Sequence, residues 1–200
     1  MSSTAFPFLK SGYTVYASHL CPSSVRVRRA LKAVGATYQT LLVPALRTLD
    51  GTVMTESVEI IEHVVGAFPS SKLIPEDPAK RARLYDFIKI VGSRFRPSIY
   101  KSLMASNPEP AGRLRTSGNS PVVTGGPFWL DTRFGFAEIV LSPSVSVFGV
   151  LRHYRGVEIP DTQTYAAFPR WYNAFKSDPL FTEFEPDFEE QIVAFEKIVS

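Results

Sequence analysis

The sequence predicts an α/β domain over residues 11–70, a linker at 71–78, and an all-helical domain over 79–200. Three observations carry this reading. β-prone stretches alternate with helical periodicity only in the first segment. A run from Pro69 to Pro78 holds three prolines and two serines without any periodicity, which is linker composition. Beyond it, apolar residues recur at helical spacing and the strand signal largely disappears.

Taken in order, Tyr13 to Ala17 is β-prone and follows Ser11-Gly12. The next stretch has Pro22 near its start, Val27, Ala30, Leu31 and Val34 on one stripe, and Gly35 as a stop, which reads as a helix. Thr37 to Leu42 is again β-prone, completing a βαβ unit with parallel strands and a right-handed crossover. Ala45 to Leu49 and Thr52 to Met54 flank Asp50-Gly51, a tight-hairpin signal. A helix then begins near Glu56-Ser57, with Ile60, Ile61 and Val64 on one face.

In the second half, Leu84, Phe87, Ile88 and Val91 mark a helix that starts around Pro78 and bends or ends near Pro97. Residues 105–127 are rich in Pro, Gly, Ser and Asn and read as a long loop. Phe136 to Leu151 reads as helical despite Pro143, and Pro169 opens a helix carrying Trp171, Tyr172 and Phe175. Phe188, Ile192, Phe195 and Val199 line a last helix, with Glu189 and Glu190 in its first turn as the helix dipole favours.

Composition removes several classes of function. Of 200 residues, 44% are hydrophobic and 20% charged, the balance of a globular chain able to bury a sizeable core. A net charge of +3 does not suggest a nucleic-acid binder, and the one dense basic cluster, Arg26, Arg28 and Arg29, sits inside an apolar helical pattern. The single cysteine, Cys21, excludes a disulfide scaffold. No run of about 18 apolar residues occurs, so no stable membrane insertion is expected. The start Met1-Ser2-Ser3-Thr4-Ala5 lacks the pattern of a secretory signal, and the expected location is cytoplasmic. His19, His63 and His153 show no ligand spacing, so no metal is expected.

Chemistry concentrates in the first half. Cys21 falls between a strand and the helix it feeds, where unpaired N–H groups and the dipole stabilise a thiolate, and His19 and Arg26 are near it in sequence. A buried structural cysteine is the alternative. Ser23 and Ser24 either cap the helix or donate to a bound thiolate. Glu56-Ser57 at a helix start is either a cap or a grip for a zwitterionic amino-acid group: hydroxyl and N–H groups for its carboxylate, Glu56 for its ammonium. An extended Val43 before Pro44 offers backbone groups to a peptide ligand. Tyr13 and Tyr16 either line this site or pack in the core. Phe95, Tyr100, Met104 and Tyr172 either border an apolar substrate cleft between the two halves or pack in a helical core.

Val43-Pro44-Ala45-Leu46, Asp50-Gly51 and Glu56-Ser57-Val58-Glu59-Ile60-Ile61 together resemble the glutathione-binding half of the cytosolic glutathione transferases. Gly126-Pro127-Phe128-Trp129-Leu130 through Phe134 to Pro143, and Phe168-Pro169-Arg170-Trp171-Tyr172 through Pro179, are similar to blocks of that family's helical half. The stretch from Cys21-Pro22-Ser23-Ser24 to Arg26-Val27-Arg28 resembles the omega class in its Cys-Pro and the zeta class in its Arg-Val-Arg; it is also similar to the soluble chloride intracellular channel proteins. The resemblance implies a thioredoxin-like N-terminal domain with an all-α C-terminal domain, glutathione as cosubstrate, a small hydrophobic substrate and a homodimer. It implies that the Val43-Pro44 bond is cis, that Val43 pairs with the ligand's backbone and that Glu56 and Ser57 grip its γ-glutamyl end. Cys21, Ser23 or Ser24 then faces the sulfur. The implied activity is conjugation of a hydrophobic electrophile or isomerisation of a conjugated alkene, in a setting such as biosynthesis of a small natural product. Thiol transfer through Cys21, a non-catalytic ligand carrier and a membrane-inserting protein are the alternatives.

Two departures stand against the family pattern. The helix expected between the second strand and the Val-Pro strand is missing, because Leu42 runs straight into Val43-Pro44. Those strands flank the first one on opposite sides in the family, so a direct link reads as awkward and residues missing from the chain are the expectation there. Between Met104 and Gly126 a second long helix is likewise absent from the pattern, and Gly135 stands where a Ser or Thr usually caps the next one, with Glu138 retained.

Overall fold

A computed structural model of the chain describes residues 13–16, 21–41, 45–48, 50–105, 126–128, 133–158 and 167–199. Two compact units divide it, Met1–Ser71 and Lys72–Ser200.

In the first unit, strand β1 (Tyr13–Tyr16) is followed by helix α1 (Pro22–Ala33), β2 (Tyr38–Leu41), β3 (Ala45–Arg47), β4 (Val53–Met54) and α2 (Ser57–Ala67). The sheet order is β2-β1-β3-β4. β1 and β2 run parallel, the outcome expected of the βαβ unit, while β3 is antiparallel to both β1 and β4. The stripe on α1 buries Val27 and Leu31 against Val15 and Leu46 of the sheet, and Ile60 and Val64 of α2 join the same core. Each such aliphatic side chain contributes about 1.5–3 kcal/mol when fully buried. Tyr13 belongs to this core, with its ring edge-on to His63 at 6.3 Å. Gly35, at φ +70°, ends α1; its left-handed backbone lets the Ala36 N–H reach back to the Leu31 carbonyl at 2.9 Å.

The register explains the short connection after β2. Tyr16 pairs with Leu41 on one side and with Ala45 on the other. Two strand spacings separate those ends by about 10 Å, and four residue steps of extended chain reach about 13–14 Å. A direct link is therefore within reach, and no missing helix is needed to close it. Residues 42–44 themselves lie outside the described residues, as do 106–125, where the loop was expected.

The hairpin between β3 and β4 turns at Gly51, φ +90°. The Asp50 carboxylate accepts from the Thr48 hydroxyl and from the Thr52 N–H at 3.0 Å. These bonds, the Thr48 hydroxyl first, lower the Asp50 pKa from 3.8 to about 2. A carboxylate depressed on folding contributes stability above its unfolded pKa and loses it as pH falls through the folded value. The turn should therefore weaken between about pH 4 and pH 2. Asp50→Asn should flatten the acid limb of the unfolding midpoint plotted against pH; an unchanged slope would remove Asp50 from the acid response.

The second unit holds α3 (Pro78–Ile90), a π turn (Val91–Phe95), α4 (Arg96–Met104), α5 (Phe136–Arg155), α6 (Ala167–Ser177), the short α7 (Pro179–Thr182) and α8 (Phe188–Val199). Asp77 caps α3 by accepting from the Lys80 N–H at 2.7 Å. The helix is expected to bend or end near Pro97; its α-helical pattern breaks at Val91–Phe95, just before that residue, and then resumes to Met104. In the π turn the Arg96 N–H bonds the Val91 carbonyl five residues back, and this wider turn makes room for a proline that would otherwise press on the carbonyl four residues before it.

Pro143 is similarly absorbed within α5. It cannot donate to the Ile139 carbonyl, and the hydroxyl of buried Ser142 donates to that oxygen instead, at 2.8 Å. The α5 start keeps half of a capping box: Gly135 has no side chain to offer, but its N–H donates to Glu138 at 3.0 Å. At the other end, the Arg155 guanidinium donates to the Leu103 carbonyl at the end of α4, with its Nε at 2.9 Å. A string of rings runs through the unit, from Phe128 and Phe134 through Phe175 to Trp171 and Phe168, and on through Tyr172 and Phe148 to Phe95. The helix expected from Pro169 starts two residues earlier, and α7 had no periodic signal because it is a single turn. Among the described residues no helix is long and apolar enough to cross a membrane.

Candidate functional site

β1 leads into α1 at Cys21, and β4, parallel to β1 because both oppose β3, leads into α2 at Glu56. Both helices therefore start at the same end of the sheet. Cys21 is the N-cap residue of α1, extended at φ −77° and ψ 116°, and Pro22 takes the first helical position. The Cys21 carbonyl accepts from the Val25 N–H at 3.0 Å. The thiol side chain is half-buried.

The two serines beside it differ. Ser23 is half-buried, whereas Ser24 is fully buried. Neither caps α1: the cap residue is Cys21, and no side chain makes a cap hydrogen bond. The sequence reading of these serines as caps is thus corrected, because the chain enters the helix two residues earlier than that reading assumed.

At α2, Glu56 is the N-cap residue and Ser57 the first helical residue, again with no side-chain cap bond. A plain capping role for Glu56-Ser57 is therefore not what this structure contains. Glu56 is exposed, while Ser57 is buried. The Ser57 hydroxyl oxygen accepts from the guanidinium of Arg26, one turn into α1, at 3.3 Å. Arg26 is only 2% exposed. Its donation occupies a lone pair of the Ser57 oxygen and leaves the hydroxyl proton to donate elsewhere. A buried guanidinium also adds a fixed positive charge to an end of the sheet that already has two helix N-termini. By sequence proximity Arg26 bears only on Cys21; its link to Ser57 spans 31 positions and depends on how α1 packs against α2. An arginine inside an apolar helical stripe was the available signal. Val43, Pro44 and His19 lie outside the described residues.

In the helical unit, Phe95 and Tyr172 both meet Phe148, at ring distances of 6.2 and 6.3 Å. Tyr172 also stacks on Phe168 at 5.8 Å. Burial, and after it the Glu185 carboxylate, raises the Tyr172 phenol above the usual tyrosine value, so it is a neutral hydroxyl at physiological pH. The Glu185 carboxylate is held by the Ser146 hydroxyl at 2.6 Å. Tyr100 is half-buried on α4, and Met104, one turn further, is 57% exposed. Among the described residues no group of three His, Cys, Asp or Glu side chains is arranged to hold a metal ion.

An α/β unit of this topology followed by a bundle of helices defines the glutathione transferase fold, and solved structures agree. The chain superposes on a tau-class glutathione S-transferase of mango, Mangifera indica, with a TM-score of 0.75 at 18% identity, covering 96% of this chain and 100% of that one. It superposes on the Omega 3C glutathione transferase of Trametes versicolor with a TM-score of 0.74 at 20% identity, covering 94% and 91%. No family model matches the sequence. Among curated proteins, the chain is 33% identical to mouse glutathione S-transferase omega-1 over 87 residues, 34% of this chain and 36% of that protein. It is 29% identical to rat maleylacetoacetate isomerase over 114 residues, 52% of each. The matched stretch thus spans from about a third to about half of these relatives. Curated relatives and solved structures together point to the glutathione S-transferase superfamily, in its omega, maleylacetoacetate isomerase and tau branches.

Proposed function

We propose that this chain is an enzyme that binds glutathione and directs its thiol at a small hydrophobic substrate, as a transferase or as an addition–elimination isomerase. The observation that carries the reading is the Arg26–Ser57 hydrogen bond. It ties together two helix starts, one bearing Cys21 and the other Glu56-Ser57, at one end of the sheet. In this reading the Ser57 proton and the first-turn N–H groups of α2 receive the γ-glutamyl carboxylate, and Glu56 attracts the ammonium. Val43, preceding Pro44, pairs with the ligand's backbone. Cys21, Ser23 and Ser24 flank the sulfur, and the positive end of α1 favours its thiolate. Phe95, Tyr100, Met104 and Tyr172 contribute to the hydrophobic substrate site.

Two outcomes follow from a thiolate held there. Attack on an electrophilic carbon forms a thioether as the leaving group departs. Attack on a conjugated alkene forms a C–S bond and pushes the electron pair onto the activating carbonyl; rotation and elimination then return the alkene isomerised and the thiolate unchanged. The relatives named maleylacetoacetate isomerase and glutathione S-transferase favour keeping both. Processing of one particular natural product suits such a site, in a cytoplasmic homodimer.

A second reading has its own observation: the N-cap residue of α1 is a half-buried cysteine rather than a serine. A Cys21 thiolate would attack the glutathione sulfur of a mixed disulfide, releasing the substrate thiol and leaving Cys21 joined to glutathione. A second glutathione would then restore Cys21 and leave as glutathione disulfide.

Calorimetric titration with glutathione tests the common ground. Binding is expected, with Ser57→Ala weakening it by about tenfold or more, the loss of one charge-assisted hydrogen bond. No binding by the unaltered chain, or none of this sensitivity, removes the enzymatic reading. Cys21→Ser then separates the two chemistries: loss of disulfide reduction supports thiol transfer, and unimpaired turnover of an electrophile removes Cys21 from the reaction.

A further inference from the structure

Ser142, Ser144 and Ser146 of α5 are all buried, and two of them are satisfied. The Ser142 hydroxyl donates to the Ile139 carbonyl at 2.8 Å. The Ser146 hydroxyl is shared between the Ser142 carbonyl at 3.1 Å and the Glu185 carboxylate at 2.6 Å. Ser144 stands between them, only 4% exposed, and among the described residues its hydroxyl has no hydrogen-bond partner. A buried hydroxyl left unpaired destabilises the fold, so such groups are few and each calls for a reason.

The surroundings of Ser144 supply that reason. Residues four apart share a helix face, so Ser144 lies one turn before Phe148 and on its side of α5. A long helical side chain leans back over the turn that precedes it, and the Phe148 ring therefore overlies the turn that carries Ser144. Phe148 is half-buried and meets three more half-buried rings: Phe95 and Phe168 at 6.2 Å each, and Tyr172 at 6.3 Å. Phe168 and Tyr172 stack with only 17° between their planes. Phe95 belongs to the π turn, a distortion common where a helix carries function. Four partly exposed rings thus stand over one unpaired donor.

We propose that Ser144 is a specificity-determining residue of the hydrophobic substrate site, its hydroxyl donating to the carbonyl oxygen of a flat, aromatic, conjugated carbonyl compound. That substrate class refines the site proposed above, and its assignment rests on that reading. The rings favour a flat aromatic body through face and edge contacts, but they do not distinguish a polar substrate from a hydrocarbon of the same shape. The hydroxyl makes that distinction, because a substrate without an acceptor leaves the buried donor unpaired. An acceptor is also what the proposed chemistry requires. An alkene that adds a thiolate passes its electron pair to an activating carbonyl, so every substrate of that reaction brings a carbonyl oxygen.

Two probes of one shape test the assignment: trans-chalcone, and trans-1,3-diphenylpropene, which keeps both rings and lacks the carbonyl. Quenching of tryptophan fluorescence reports their binding to the full chain, since Trp171 lies 5.3 Å from Phe168. Chalcone is expected to bind the unaltered chain at least about tenfold more tightly than the hydrocarbon, the worth of about one hydrogen bond. Ser144→Ala should bring the two dissociation constants together, and Ser144→Cys, with its weak donor, should restore little of the difference. A purely structural serine would weaken both probes alike and leave their ratio unmoved. A circular dichroism melt verifies that the variants fold, and the comparison of probes on the unaltered chain needs no variant. Failure to bind chalcone, equal binding of both probes, or a preference that survives Ser144→Ala overturns the proposal. Glutathione is absent from these titrations. Failure of the chain to bind glutathione would therefore strike the wider reading by a separate measurement, whereas lost discrimination beside intact glutathione binding strikes only Ser144.

Discussion

Phe175→Ala is expected to destabilise the helical unit by about 3–5 kcal/mol, the range for deleting a fully buried phenylalanine. Phe175 has no exposed surface. Its ring lies 4.9 Å from each of Phe134, Trp171 and Phe181, so it joins the segment before α5 to α6 and α7. Truncation removes one partner from three edge-to-face or tilted contacts and leaves a void that neighbouring rings, fixed by their own contacts, fill poorly. Phe175→Leu, which keeps most of the volume, should cost distinctly less. Urea unfolding followed by tryptophan fluorescence reads this directly, because Trp171 is one of the three neighbours. A loss below about 1 kcal/mol would mean that the ring string does not organise the unit.

Arg26→Ala should raise the dissociation constant for glutathione by about 10- to 100-fold, although the guanidinium is assigned no contact with the ligand. Hydrogen bonds involving charged groups are worth about 1.5–3 kcal/mol, and each 1.4 kcal/mol is about tenfold in affinity. The effect should pass through Ser57: without the Arg26 donor, the hydroxyl rotates and its proton no longer points where a carboxylate needs it. Ser57→Ala and Arg26→Ala combined should then weaken binding little more than the worse single change. Strict additivity would show that Arg26 acts elsewhere. Arg26→Lys should recover only part of the affinity, since an ammonium lacks the planar fork of the native side chain.

These two residues also measure what could be read from the chain alone. Phe175 was legible as an aromatic on a helical stripe, because a period near 3.6 needs no tertiary information. The sheet, α1, α2 and the Asp50-Gly51 turn were legible for the same kind of local reason. Arg26 was not legible as a partner of Ser57, because an arginine's usual address is the surface and only the packing of α1 on α2 reverses that. The passage of α4 through Pro97 was hidden too: proline signals a break, and a π turn leaves no composition of its own. In α5 the remedy sat beside the problem, as Ser142 precedes Pro143 and donates to the carbonyl that the proline cannot serve. Glu56-Ser57 is legible as a motif, yet only the folded helix start shows that neither side chain makes a cap bond.

The three-residue connection between Leu41 and Ala45 has a consequence for what the proposed site can tell apart. The resemblance implies a helix in this connection that helps hold the glycyl end of glutathione, and the sequence has three residues there. In the proposed reading Glu56 and Ser57, the latter held by Arg26, serve the γ-glutamyl end, while the far end of the tripeptide has one wall fewer. Such a site reads the first two residues of its ligand and is nearly blind to the third. γ-Glutamylcysteine should therefore compete with glutathione on close to equal terms, and the choice between them would fall to their relative abundance rather than to the protein.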